Sequence, residues 1–272
     1  MSLTDKVALV TGGGRGIGRG IALALAQAGA HVAIGEVDSV ASAAQQYRDA
    51  ALSGVAAAEQ VASEVRGLGR QALVVPADVT QAAQVTAMVD ATVRTLGGLD
   101  VLVCNAGVVH ISPVERLSEE AFDLTMAVNV KGVFLTCRAA IPVLKHRPGA
   151  SIINIASVAG KNGAAGMAHY CASKFAVVGF TNALAKELAR SGVRANAICP
   201  GILRTQMWEY LTDEFRGRDE DREAAWQRYV QTLIPLGRPQ TPEDIGQLAV
   251  YLATAPNVTG QAINVDGGME LH

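Results

Sequence analysis

Aromatic side chains are scarce in this chain. Phe, Tyr and Trp supply 4% of its 272 residues, although half of the residues are hydrophobic. A core must therefore be built from Ala, Val, Ile and Leu. Excess charge is lacking too. The formal net charge is −2, so no basic field draws in nucleic acid. Cysteine is limited to Cys104, Cys137, Cys171 and Cys199, widely spaced and without a Cys-x-x-Cys pair. That spacing argues against a disulfide framework or a metal site and for buried, reduced thiols. The N-terminus Met-Ser-Leu-Thr-Asp-Lys lacks the basic-then-apolar order of a signal peptide, and no apolar run is counted as membrane-spanning. The expectation is a cytoplasmic protein without a membrane partner. Linker-like Pro/Ser tracts, internal repeats and low-complexity segments are missing as well, which predicts one domain over residues 1–272.

What is present is an alternation. Short apolar runs rich in β-branched residues recur at 7–10, 31–34, 72–75, 101–104, 151–155, 194–198 and 262–265. Longer stretches of helical spacing separate most of them. This predicts an α/β fold of the doubly wound, Rossmann type: seven parallel strands with helices on both faces.

The first run leads into Gly12-Gly13-Gly14-Arg15-Gly16-Ile17-Gly18, then Ile21, Ala24, Leu25 and Ala28 at helical spacing. Glycines permit a sharp turn and close approach of a pyrophosphate. The helix that follows aims free N–H groups and its positive end at that anion. Further on, Tyr170 and Lys174 stand four residues apart, on one face of a helix. A phenol is too weak an acid to serve as a base near neutral pH. A neighbouring ammonium favours the phenolate and lowers its pKa. Such a pair can exchange a proton with an alcohol or a carbonyl.

In order and approximate spacing, the chain resembles the short-chain dehydrogenase/reductase family. Thr11-Gly12-(x3)-Gly16-Ile17-Gly18, Asn105-Ala106-Gly107, Asn129, Ser157, Tyr170-(x3)-Lys174, Pro200-Gly201-(x3)-Thr205 and Asp266-Gly267-Gly268 carry the resemblance, which runs from about Leu3 to Met269. It implies an oxidoreductase that moves hydride between a nicotinamide cofactor and a secondary alcohol or ketone. It further implies that Ser157 orients the reacting oxygen, that Tyr170 is the acid/base, and that Lys174 tunes Tyr170 and holds the nicotinamide ribose. Asn129 would hold a water in a proton relay through Lys174. Gly12, Arg15, Gly16, Ile17 and Gly18 would take the pyrophosphate, and Asp78 and Val79 the adenine. Asn105, Ala106 and Gly107 would pack beside the adenosine ribose, while Pro200, Gly201, Ile202 and Thr205 would meet the carboxamide side of the nicotinamide.

Glu36 stands about 20 residues after the glycine loop, where an acid can accept both ribose hydroxyls and repel a 2′-phosphate. Arg15 pulls the other way, and Asp38 could replace Glu36. NAD is expected, with NADP the lesser choice. The substrate is a small alcohol or ketone. Val109, His110, Val158, Ala164, His169, Met207 and Trp208 are candidate pocket residues. The stretch after Pro200 is similar to acetoin/butanediol and polyol dehydrogenases, but apolar Val158 departs from them. Alternatives are an NADPH-dependent 3-oxoacyl-type reductase and a non-catalytic dinucleotide-binding protein.

Two segments are unusual. Residues 39–56 look like an insertion after the second strand, with helical pieces at 39–52 and 55–68. Residues 202–236 combine a run of charges with both tryptophans, as expected of a mobile substrate lid. Two long helices, at 118–145 and 168–191, are expected to pair between subunits in a homotetramer, or failing that a dimer.

Overall fold

A computed structural model describes residues 2–38 and 53–271. Seven strands form one wholly parallel sheet in the order β3-β2-β1-β4-β5-β6-β7. They are β1 (Val7–Thr11), β2 (His31–Glu36), β3 (Ala72–Pro76), β4 (Val101–Cys104), β5 (Ser151–Ile155), β6 (Arg194–Pro200) and β7 (Ala262–Val265). The central strands β1, β4, β5 and β6 are buried along their whole length. Burial on both faces is why they read as unbroken apolar runs rather than alternating ones. The two cores, one on each face, are almost entirely aliphatic.

On one face, α1 (Gly16–Gln27) crosses α9 (Pro242–Thr254) where glycines remove the side chains between them. A Cβ on Gly20 would lie 2.5 Å from the Cβ of Pro242, and one on Gly246 would lie 2.7 Å from that of Ala24. Helix α9 starts with a capping box between Thr241 and Asp244, with Pro242 in its first turn. Helix α2 (Gly54–Gly67) follows, capped by Ser53, which accepts the Ala56 N–H. The expected helix over 39–52 lies outside the described residues.

On the other face, α3 (Ala82–Leu96) precedes α4 (Glu119–Met126), a π-turn at Ala127–Lys131, and α5 (Gly132–Leu144). The long helix expected over 118–145 therefore carries an extra residue in the middle. Contrary to the sequence expectation, the span Glu119–Leu144 is long and apolar enough to cross a membrane, with mean hydropathy 1.4. Half of that window is buried, where it packs on the sheet, so its apolarity serves this core. Helix α6 (Ala168–Leu188) lies beside it. The charged segment at 202–236 folds as a hairpin of α7 (Gln206–Phe215) and α8 (Arg222–Leu233).

Two buried polar clusters fasten the sheet. Asp100, 4% exposed, accepts the Val7 N–H at 2.9 Å and two hydrogen bonds from Arg147 at 3.0 Å, with Lys6 at 3.3 Å. At the same amino edge of the sheet, the Arg194 guanidinium donates to the carbonyls of Leu252 and Ala253, the last turn of α9. Carbonyls at a helix C-terminus lack intrahelical partners, so one buried cation ties α9 to β6.

Candidate active site

The carboxyl ends of the strands open into one cavity of about 860 Å³. This is where ligands bind in open parallel sheets. Its first wall is the glycine loop. Gly12 and Gly16 have φ of +64° and +47°, a region that strains other residues. A Cβ on Gly18 would lie 2.1 Å from the Gly12 carbonyl oxygen, so no larger residue fits. Helix α1 begins at this loop without a side-chain cap. Its first N–H groups are left for a ligand, and an anion is their natural partner. Asn105 fixes the loop to β4: its amide donates to the Thr11 and Gly12 carbonyls at 3.0 and 2.8 Å. Thr11 Oγ1 in turn accepts the N–H groups of Asn105 and Ala106.

Glu36 closes the adenosine end as the last residue of β2. One carboxylate oxygen accepts the Gly14 N–H at 3.0 Å and the other the Val37 N–H at 3.1 Å. Burial pushes its pKa up, against the two amides and the Arg15 charge, which lower it. A Cβ on Gly14 would lie 3.0 Å from Glu36 Oε2. Arg15, Asp38, Asp78 and Val79 line the same end. Asp78 Oδ1 accepts both the N–H and the hydroxyl of Thr80 at 2.8 Å, and α3 begins shortly after, at Ala82. The cradle of glycines, uncapped helix and half-buried acid fits a dinucleotide.

Deeper in, Ser157, Tyr170 and Lys174 meet at the cavity wall. Ser157 leaves β5 and caps a single 3₁₀ turn. Tyr170 and Lys174 come from α6, with the Lys174 ammonium 5.6 Å from the Tyr170 ring centre. Lys174 Nζ donates to the Ile155 carbonyl at 2.9 Å. Burial dominates both ionisations. It raises Tyr170 to about 12, against the lowering hydrogen bond from Ser157, and it lowers Lys174 to about 8. The sequence argument had Lys174 depressing the phenol; here desolvation dominates, and the group that opposes it is Ser157.

Of the other sequence candidates, Ile17, Gly107, Val158, Ala164, Pro200, Gly201, Thr205, Met207 and Trp208 line the cavity. Five do not, each for a local reason. Asn129 is buried and turned onto the backbone of Val108, bonding its N–H at 2.8 Å and its carbonyl at 2.9 Å, and it also donates to Ser173. It still approaches Lys174 across Gly107, whose added Cβ would lie 3.4 Å from Asn129 Oδ1 and 3.6 Å from Lys174 Nζ. Val109 is buried in a small cluster with Met167, Tyr170, Cys171 and Leu211. His110 faces His169 behind that cluster, ring centres 6.0 Å apart, and neither reaches the cavity. Ile202 points into a separate cluster with Trp226, Val230 and Ile234, and its carbonyl accepts the Gln240 N–H.

The sequence reading expected a substrate lid at 202–236 but did not single out the side chains that form the far wall. Leu211, Phe215, Tyr229 and Leu233 of the α7–α8 hairpin, Ala159, Asn162, Gly163 and Met167 after Ser157, and Met269 and Glu270 at the C-terminal end all line the cavity. Helical spacing from Met207 and Trp208 to Leu211 and Phe215 was the available signal.

With this geometry in place, similarity to known proteins decides the family. Residues 6–215 match the short chain dehydrogenase family. The chain belongs to that family. It is 36% identical to galactitol 2-dehydrogenase of Agrobacterium fabrum over 271 residues, covering 98% of each chain. It is 37% identical to a 3-oxoacyl-[acyl-carrier-protein] reductase of Synechocystis over 271 residues, again 98% of each. Its fold is similar to that of a blue fluorescent protein from a metagenomic library, solved with NADPH: TM-score 0.83, 33% identity, 100% of both chains. The short-chain dehydrogenase described here is thus an oxidoreductase dependent on a nicotinamide dinucleotide.

Proposed function

We propose that this dehydrogenase interconverts a secondary alcohol and its ketone with NAD, and that Tyr170 moves the proton. The observation that carries the reading is the meeting of Ser157, Tyr170 and Lys174 at one cavity wall, opposite the glycine loop. Nicotinamide held between the Gly12–Gly18 loop and Thr205 would supply the hydride donor or acceptor. The chain's own part is positioning and proton transfer. Ser157 hydrogen-bonds the reacting oxygen and fixes it beside the Tyr170 hydroxyl. Burial keeps Tyr170 protonated at neutral pH, the form that donates to a ketone oxygen. As phenolate character develops, the Lys174 ammonium stabilises it through a medium of low dielectric. In the oxidative direction the same proton returns to Tyr170. Asn129 supports the site by holding Val108 and Ser173, the latter one residue before Lys174.

Glu36 supports NAD over NADP, because a 2′-phosphate would meet its carboxylate in a half-buried place. The runner-up, an NADPH-dependent 3-oxoacyl-type reductase, has the Synechocystis relative on its side and Glu36 against it. A purely binding protein would have no use for Ser157, Tyr170 and Lys174 together. Phe134 and Phe175, 42% and 48% exposed on α5 and α6, support a tetramer or dimer built through those helices. Four buried, unbonded cysteines suit a reducing, cytoplasmic setting.

Tyr170→Phe tests the proposal. It keeps the ring and removes the proton, so kcat should fall by at least about 100-fold while cofactor affinity is retained. Near-normal turnover of secondary alcohols by that variant would overturn the mechanism.

A further inference from the structure

The substrate end of the cavity differs in kind from the cofactor end. The α7–α8 hairpin contributes one polar side chain, Gln206, beside Met207, Trp208, Leu211, Phe215, Tyr229 and Leu233. The polar atoms of its aromatics are already spent on backbone. Trp208 Nε1 donates to the Gly201 carbonyl at 3.3 Å, and the Tyr229 hydroxyl donates to the Phe215 carbonyl at 2.7 Å. What these rings offer the cavity is hydrocarbon surface. Phe215 and Leu233 remain 38% and 45% exposed, apolar area that a ligand would cover. Asn162 offers little more: its oxygen accepts the Gly163 N–H and its amide donates to Glu270.

A single carboxylate stands in this wall. Among the described residues, the charged side chains lining the cavity are Arg15, Glu36, Asp38 and Asp78 at the adenosine end, Lys174 beside Tyr170, and Glu270. Glu270 is held from three directions. Its N–H donates to the buried Asp266 carboxylate at 2.9 Å, its carbonyl accepts from Asn264 at 2.7 Å, and Oε1 accepts from Asn162 at 2.9 Å. The two backbone bonds fix the residue and the Asn162 amide orients its side chain; a carboxylate placed there repels anions and receives hydrogen-bond donors.

We infer that the site takes a bulky, largely apolar secondary alcohol or ketone that is neutral or cationic, and that Glu270 is the residue that rejects carboxylate-bearing substrates. This rests on the Tyr170 reading above. A polyol is disfavoured because the hairpin wall offers its several extra hydroxyls a single acceptor without a partner of its own, Gln206 Oε1, and the rest would leave water unpaired. An acid is disfavoured by like charge.

A para-substituted phenylethanol series tests it: methyl, aminomethyl and carboxylate members, with galactitol alongside. Turnover is followed with NAD and with NADP, and calorimetry measures binding of the three matching ketones, and of galactitol, to the enzyme–NADH and enzyme–NADPH complexes. The methyl and aminomethyl members should exceed the carboxylate and galactitol by at least about tenfold in kcat/KM, the scale on which one pocket contact discriminates. The ketones should bind in the same order. Glu270→Gln should raise the carboxylate relative to the methyl member at least about fivefold, a change of roughly 1 kcal/mol, and erase any advantage of the aminomethyl one. Galactitol or the carboxylate equalling the methyl member in the wild type, or a ranking untouched by Glu270→Gln, overturns the inference. So does failure of every ketone to bind. The predicted binding order without any turnover leaves the substrate assignment standing and removes the alcohol–ketone reaction.

Discussion

The Lys174 ammonium donates to the Ile155 carbonyl, 2.9 Å away, at the end of the strand that delivers Ser157. One hydrogen bond thus ties the ammonium proposed to stabilise the Tyr170 phenolate to the strand that carries Ser157. Because the whole assembly is buried, Lys174 titrates at about 8, well below its usual 10.5. Its charged form exists below that value and is lost as pH rises through it. Ketone reduction should therefore be level up to about pH 7 and fall close to tenfold per pH unit above 8, as a single essential charge disappears. Lys174→Arg, which keeps its charge throughout, should lose this limb even if it is slower. A reduction rate that stays level to pH 10 would contradict it.

Glu36 offers a second test. Glu36→Ser should reduce discrimination against NADP by roughly 1–3 kcal/mol, the scale of a hydrogen bond to a charged group. The measurement is the ratio of kcat/KM for the two cofactors. A wild-type enzyme that turns over NADPH better than NADH would instead give Arg15 the deciding role.

The α7–α8 hairpin is tied together at its surface by ion pairs, among them Arg228–Glu220 at 2.8 Å and Arg222–Asp213. Exposed pairs of this kind add little stability, so the hairpin depends on its apolar inner face. Trp208 is central to that face, packed edge-on against Trp226 at 6.3 Å. Trp208→Ala should change KM and the order of preferred substrates more than cofactor affinity. Hydrogen exchange across residues 202–236 should slow when cofactor and substrate are both present. Protection that is already complete without ligands would exclude a closing lid.

Asp100 governs behaviour in acid. Burial would raise its pKa, but the Arg147 and Val7 hydrogen bonds and the charges of Lys6 and Arg147 outweigh that and lower it. Its contribution is present above the ordinary carboxylate value and is lost as pH falls through the lower folded value. Asp100→Asn should cost about 1–3 kcal/mol at pH 7, as for hydrogen bonds to charged groups. Urea unfolding should show the gap between variant and wild type narrowing toward pH 3. An equal gap at both pH values would show that the charge is irrelevant.

The sheet was legible because its central strands are buried on both faces and so stand out as aliphatic runs. Tyr170 and Lys174 were legible because helical spacing alone puts them on one face. Side-chain direction outside regular elements was not. Val109 and His110 follow Gly107 in sequence, yet the chain leaves β4 there and turns both inward against α6. Asn129 sits in a π-turn, and its place in the relay came from the family resemblance, which carries no local signal of its hold on the Val108 backbone. Met269 and Glu270 were hidden by Gly267 and Gly268, whose positive φ values bring the tail back across the cavity in a way no periodicity encodes. The raised Tyr170 pKa was missed because burial, unlike spacing, is a property of the folded surroundings.

The close approach at the start of α2 has a separate consequence. The Gly54 N–H meets the Asp38 carbonyl at 3.4 Å, and a Cβ on Gly54 would lie 1.9 Å from the Val37 carbonyl oxygen. The chain therefore departs after Asp38 and returns to nearly the same point. Joining two ends that already touch costs little more entropy as the connection grows longer. Changes of length between Asp38 and Gly54 should therefore leave Glu36 and the sheet beneath it where they are.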